Sequence, residues 1–337
     1  MVRLVPRLEL NIVTGFLGSG KTTLLKRFLA GRPPASTLVI INEFGRESID
    51  DRLTLHLNSE IATIADGCLC CTVLDDLRET LLDVLTRRAR GELPELERII
   101  IETSGLADPG PILGTVLSDE NLEEYLRVGA CITTFDALEG IESLGRFPEA
   151  AAQLATADRV ALTKTDLLDE SRLGTLVDAV RAVNPACAIM TSEVPDALFA
   201  PGEATAINDT AVARQSGTHA HTSSIQSFST ALDDSLDWAT FSVWLTALLN
   251  RHGDRILRFK SVLSVRSAPG QLVVQGVRHR VYPPGHLPAG PQDEGKVSTS
   301  RLVFITDGLD KARILASLHR FANARMIDPG FSKLTMQ

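Results

Sequence analysis

The stretch "GFLGSGKT", Gly15 to Thr22, decides how the rest of the chain is read. It satisfies the spacing G-x-x-x-x-G-K-[ST], and its flanks agree with it, an apolar run "LNIVT" before and a helical segment "TTLLKRFL" after. A turn of that composition brings backbone N–H groups to face a phosphate at the start of the following helix. Lys21 then reaches toward β- and γ-phosphate oxygens, and the Thr22 hydroxyl is placed to ligate Mg²⁺. Gly15, Gly18, Ser19, Gly20, Lys21, Thr22 and Thr23 are the expected phosphate-binding set.

On either side, apolar runs alternate with amphipathic segments. "STLVIINEF", "LERIIIETSG", "GACITTFDAL" and "DRVALTKTD" read as buried strands, while "DDLRETLLDVLTRRA" and "LGTLVDAVRAVNP" carry a helical period. That alternation predicts an α/β P-loop NTPase domain with a mostly parallel sheet. From about residue 200 the pattern dissolves into "APGEATAINDTAVARQSGTHAHTSS", small and polar. Beyond it come a strand "IQSFST" and a helix over "SLDWATFSVWLTALLN" with Trp238, Phe241, Leu245 and Leu248 on one face. A hairpin "LRFKSVLSV"/"QLVVQGVRHRVY" turned at "APGQ", a strand "RLVFIT" and a helix "LDKARILASLHRF" follow. The expected organisation is a nucleotide-binding domain over 1–205, a linker over 206–224 and a smaller α+β domain over 225–337.

Composition narrows the function classes. With 337 residues and 44% hydrophobic content the chain supports more than one core. No run of 18 apolar residues predicts a membrane span, and the N-terminal stretch, interrupted by arginines and Glu9, does not read as a cleavable leader; a soluble, cytoplasmic protein is the expectation. A net charge of -8 without a concentrated basic face argues against nucleic acid as a partner. Five cysteines, an odd number, do not form a spaced disulfide framework.

Further motifs complete a nucleotide site. Glu102 in "RIIIETSG" ends an apolar strand and is the expected acidic partner of the Mg²⁺ shell or of the attacking water; the N–H of Gly105 is placed to sense a γ-phosphate. "LTKTD" ends another strand and resembles the guanine-specifying N/T-K-x-D element. There Asp166 would accept from N1–H and N2–H of guanine and the Lys164 stem would lie over the base, which favours GTP over ATP. In the acidic loop "INEFGRESIDD", Glu43 follows a strand directly and so projects at the carboxyl edge of the sheet, where ligands of α/β folds bind.

Three of the five cysteines, Cys68, Cys70 and Cys71, crowd into "DGCLCC". Three thiolates suit a soft or borderline ion such as Zn²⁺, Co²⁺ or Cu⁺, and the lack of a fourth nearby cysteine describes a site that binds and releases rather than a closed structural one. Inert buried thiols and a redox pair are the competing readings. His219 and His221 in "GTHAHT" read as part of a solvated linker.

Taken in order, "GFLGSGKTT", "INEFG", "DGCLCC", "IIIETSGLADP" and "TKTD" resemble the CobW-type metallochaperone GTPases of the SIMIBI class of P-loop GTPases, and the segments "RFKSVLSV" and "RLVFIT" are similar to that family's C-terminal domain. The resemblance implies GTP/GDP and Mg²⁺ at Lys21, Thr22, Lys164 and Asp166. It further implies Zn²⁺ or Co²⁺ at Cys68, Cys70 and Cys71, with Glu43 added from the acidic loop. The chain would then be a GTPase with Lys21 and Glu102 as its catalytic pair. Its partner would be a client metalloprotein or a metal-cofactor assembly enzyme, with a nucleotide-dependent homodimer as a further assembly. Two positions depart from the family pattern, Ser48 and Ser261, where glycine is usual. Readings of another class are a GTP-dependent assembly adaptor with structural cysteines and a nucleotide-dependent kinase; no second phosphate site favours the latter.

Overall fold

A computed structural model describes residues 6–30, 36–42, 61–63, 71–201, 224–232, 235–266, 270–287, 299–322 and 326–327. Glu43, Cys68, Cys70, Ser48, His219 and His221 lie outside the described residues, as do 206–223 of the stretch read as a linker. The chain divides into two compact units, one of Met1–Leu176 with Ala188–Gly202, the other of Val177–Cys187 with Glu203–Gln337.

The first unit is built on β1 (Leu8–Thr14), every residue of which is buried. Around it lie β2 (Thr37–Asn42), β3 (Ile61–Thr63), β4 (Arg98–Thr103), β5 (Leu126–Asp136), β6 (Arg159–Thr163) and β7 (Ala188–Thr191). Among the described residues these form one sheet in the order β3-β2-β4-β1-β5-β6-β7, with every pairing parallel. Parallel pairing requires crossovers, and helices supply them: α1 (Lys21–Leu29), α2 (Cys71–Ala89), α3 (Pro109–Ser118), α4 (Glu120–Tyr125), α5 (Gly140–Arg146), α6 (Pro148–Thr156) and α7 (Glu170–Val183), whose residues from Val177 on are grouped with the second unit, followed by the single turn α8 (Pro195–Leu198). Leu24, Leu25 and Phe28 of α1 pack with Val13, Val39, Ile100, Ile132 and Ala161 from five strands, and Phe28 stacks on Phe199 with centroids 4.0 Å apart. That burial fixes the start of α1 at the carboxyl end of β1.

The second unit carries β8 (Ile225–Leu232), α9 (Trp238–His252), β9 (Ile256–Ser264), β10 (Gln271–Val277), β11 (Arg280–Val281), β12 (Gly285–Leu287), β13 (Ser300–Asp307), α10 (Lys311–Ala322) and β14 (Met326–Ile327). Its sheet is antiparallel, ordered β11-β10-β9-β13-β8-β14 with β12 paired to β10. Phe241, Leu245 and Leu248 are buried as the helical period predicts, Trp244 joins them, and Trp238 packs at the margin. The strand read through "QLVVQGVRHRVY" is two strands: Arg278 takes a left-handed conformation with φ 53°, and Val277 pairs with Arg280 so that the chain folds back on itself. No helix among the described residues is long and apolar enough to cross a membrane.

Candidate functional site

The phosphate loop leaves β1 at Gly15, whose φ of 144° and surroundings exclude a side chain, since a Cβ there would stand 2.3 Å from Thr134 Oγ1 and 2.5 Å from the Thr134 carbonyl oxygen. The loop enters α1 through Gly20 in a left-handed conformation, with no side chain capping the helix, so the first-turn N–H groups are not spent on a capping oxygen. Lys21 Nζ donates to the carbonyl oxygens of Gly15 at 2.9 Å and Phe16 at 3.3 Å, which folds the ammonium over the loop.

Three strand ends brace this loop through hydroxyl groups. Ser19 Oγ and Thr134 Oγ1 lie 2.7 Å apart, Thr134 Oγ1 donates to the Thr14 carbonyl, and Thr163 Oγ1 donates to the Ser19 carbonyl at 2.8 Å. On the other side, Thr103 Oγ1 donates to Thr14 Oγ1 at 2.8 Å. Thr163, the first residue of "TKTD", therefore ties β6 to the phosphate loop. Nothing in the local sequence announces these braces, because each joins residues 89 to 144 positions apart.

Glu102 is 4% exposed at the end of β4, and its Oε1 accepts a 2.8 Å hydrogen bond from Thr22 Oγ1. The structure thus places side by side the hydroxyl and the carboxylate that the sequence singles out 80 residues apart. An uncharged oxygen and a charged one, both hard donors, suit Mg²⁺. Gly105 follows in the turn after β4, pressed against Leu17 of the phosphate loop.

At the far end of the site, Lys164 is exposed and takes a left-handed backbone conformation with φ 57°. Its ammonium is paired with Asp136 Oδ2 at the end of β5, while Asp136 Oδ1 accepts from the N–H of Leu138 at 2.8 Å. Sequence reasoning missed Asp136; its place at the carboxyl end of an apolar strand, "FDAL", was the available signal. Asp166 lies exposed in the short turn Thr165–Leu167. Between phosphate loop and Lys164 runs a cleft of about 180 Å³ lined in part by Ser19, Thr134, Asp136, Glu139, Gln153 and Lys164.

Cys71 is the first residue of α2. Among the described residues no group of three or more His, Cys, Asp or Glu converges on a metal-sized site. Cys131 and Cys187 are both buried.

Two family models match the chain. "CobW/HypB/UreG, nucleotide-binding domain" covers residues 9–191 and "Cobalamin synthesis protein cobW C-terminal domain" covers 225–322. The zinc chaperone YjiA of Escherichia coli (strain K12) is 32% identical over 314 residues, 92% of this chain and 97% of that protein. The zinc-regulated GTPase metalloprotein activator 1 of Schizosaccharomyces pombe is 30% identical over 182 residues, 52% of this chain and 43% of that protein. The crystal structure of the Zn(II)-bound YjiA GTPase from E. coli superposes with a TM-score of 0.73 at 27% identity, over 94% of this chain and 99% of that one.

Proposed function

The chain belongs to the CobW/HypB/UreG family, and from that premise we propose that it is a GTP-hydrolysing metallochaperone that carries zinc or cobalt to a client metalloprotein or cofactor-assembly enzyme. The observation that carries the nucleotide half is the hydrogen bond between Thr22 and Glu102 beneath a phosphate loop that Thr163 ties to the "TKTD" strand. Phosphate chemistry and base recognition are thereby built on one set of strand ends.

In this reading Lys21 would exchange the loop carbonyls for the β- and γ-phosphates, and Thr22 with Glu102 would hold Mg²⁺. The ion would neutralise charge on the transferred phosphoryl group. Gly105 offers its N–H to the γ-phosphate. Asp166 reads the guanine edge, and the Lys164 stem covers the base while Asp136 holds its ammonium. The proposed domain limits are 1–205, 206–224 and 225–337, with the nucleotide machinery in the first segment.

The metal is cargo. Cys68, Cys70 and Cys71, with Glu43, are its proposed ligands; thiolates favour zinc, and cobalt is the second candidate on donor chemistry. The YjiA relatives are described as a zinc chaperone and as a Zn(II)-bound GTPase, which supports zinc as the cargo here.

Competition binding of GTP and ATP to native protein and to Asp166→Ala tests the nucleotide half. GTP binds more tightly than ATP to the native protein, and the substitution weakens GTP while leaving ATP little changed. Equal native affinity for both nucleotides removes the base-recognition claim.

A further inference from the structure

Gln153 lies on α6, fully buried, and lines the cleft beside the phosphate loop. Its Nε2 donates to two main-chain carbonyl oxygens, those of Gly105 at 3.1 Å and Ala107 at 3.0 Å. Two acceptors at those distances require the nitrogen, so the loop itself orients the amide. Its Oε1 accepts no hydrogen bond among the described residues. A buried acceptor left unmade costs stability, which an apolar side chain of the same volume would avoid. The contribution of glutamine at this position therefore lies in its two donors.

Those donors grip the turn that follows Glu102. Ala107 N–H donates to the Ser104 carbonyl at 3.2 Å, which closes the turn, and Gly105 packs on Leu17. A trans peptide sets its N–H opposite its C=O. Drawing the Gly105 and Ala107 oxygens toward α6 therefore turns the N–H groups of Leu106 and Asp108 away from α6. At its other end Gln153 is tied to β5, where Thr133 Oγ1 donates to the Gln153 carbonyl at 2.9 Å.

We propose that Gln153 is a positioning residue for GTP hydrolysis: by gripping two carbonyls it fixes the peptide orientation of the Gly105–Ala107 loop that meets the γ-phosphate. The inference rests on the GTPase reading above. Its consequence is specific, because a defect confined to that loop falls on GTP and spares GDP.

The test compares native protein with Gln153→Leu and Gln153→Glu, measuring affinity for GDP and for a non-hydrolysable GTP analogue, and single-turnover GTP hydrolysis across pH. In Gln153→Leu, GDP affinity stays within about twofold of native, while the GTP analogue binds about tenfold more weakly and hydrolysis slows by about tenfold or more. In Gln153→Glu, burial opposite two carbonyls favours the protonated acid, which donates to one of them. Hydrolysis by this variant, as a ratio to native, therefore rises as pH falls. Asp136, Glu139 and Lys164 line the same cleft in both proteins, so the ratio to native is what isolates the substituted residue. Equal losses of GDP and GTP affinity, native hydrolysis in Gln153→Leu, or a ratio independent of pH in Gln153→Glu overturns the proposal. If Gln153→Leu fails to fold, the pH ratio decides alone. Native protein that does not hydrolyse GTP defeats the functional reading itself and this inference with it, whereas native turnover with unaffected variants defeats only this inference.

Discussion

At Gly105 a hydrogen atom stands where any other residue would place a methyl group. A Cβ there would lie 2.5 Å from Leu17 Cδ2, which can swing aside, but also 2.8 Å from Leu17 N and 2.9 Å from Leu17 Cα, which cannot move without the phosphate loop. Gly105→Ala therefore displaces either the Gly105 backbone, proposed to contact the γ-phosphate, or the loop, and a shift of about 1 Å in a reacting geometry costs on the order of 10²-fold in rate. Single-turnover GTP hydrolysis should fall by about that factor; a native rate would show that this contact does not set the site. Residues of this kind divide sharply by how readable they are. Lys21, Thr22 and Glu102 were legible because their spacing or strand-end position is itself the signal. Thr134 and Gln153 were not, because their partners lie far along the chain and only the folded sheet brings a hydroxyl or an amide to a particular carbonyl.

Elements show the same division with a different cause. The apolar runs of β1, β2, β4, β5 and β6 were readable because parallel strands buried on both faces leave an unbroken hydrophobic signature. Short elements such as β7, β12 and α4 leave no such run, and the turn between β10 and β11 depends on one non-glycine residue with positive φ. α4 is held from outside its own sequence. Asp119 caps it, accepting from Asn121 N–H at 2.9 Å and Leu122 N–H at 3.1 Å, and pairs with Arg78 of α2. Burial pushes the Asp119 carboxyl up, but the Arg78 hydrogen bond, the two amides and the Arg78 charge outweigh it and hold the group below the usual carboxylate range. A depressed folded pKa stabilises above the unfolded value, near 3.9, and that stabilisation disappears as pH falls through the folded value. Asp119→Ala should thus cost about 1 kcal/mol near neutral pH. The gap between variant and native protein should close below about pH 4. Thermal unfolding at both pH values measures it; a gap that is the same at both would assign the loss to packing instead.

On the scale of the whole molecule, the strand ends of one parallel sheet gather the phosphate loop, the Thr22–Glu102 pair and the "TKTD" turn on its carboxyl edge, as open α/β folds do. Alternation of strands and helices made that architecture legible, and the change of pattern past residue 225 made the antiparallel second unit legible. The thiol cluster is different in kind: its chemistry is plain in "DGCLCC", whereas its link to the nucleotide is a statement about energy that no spacing encodes. In the metallochaperone reading, GTP and GDP set the affinity of the proposed cysteine site for metal, and that link is the central claim. Zinc affinity of the native protein, measured by competition titration in the GTP-analogue-bound, GDP-bound and nucleotide-free forms, tests it most directly, with Cys70→Ser as the control for the ligand assignment. A coupling of roughly 1 to 3 kcal/mol predicts an affinity change of about 5- to 150-fold between nucleotide states, matched by an equal effect of zinc on nucleotide affinity. Cys70→Ser should bind zinc far more weakly and metal-free GTP as the native protein does. The same zinc affinity in all three nucleotide forms would contradict the account, even with the cysteines as ligands.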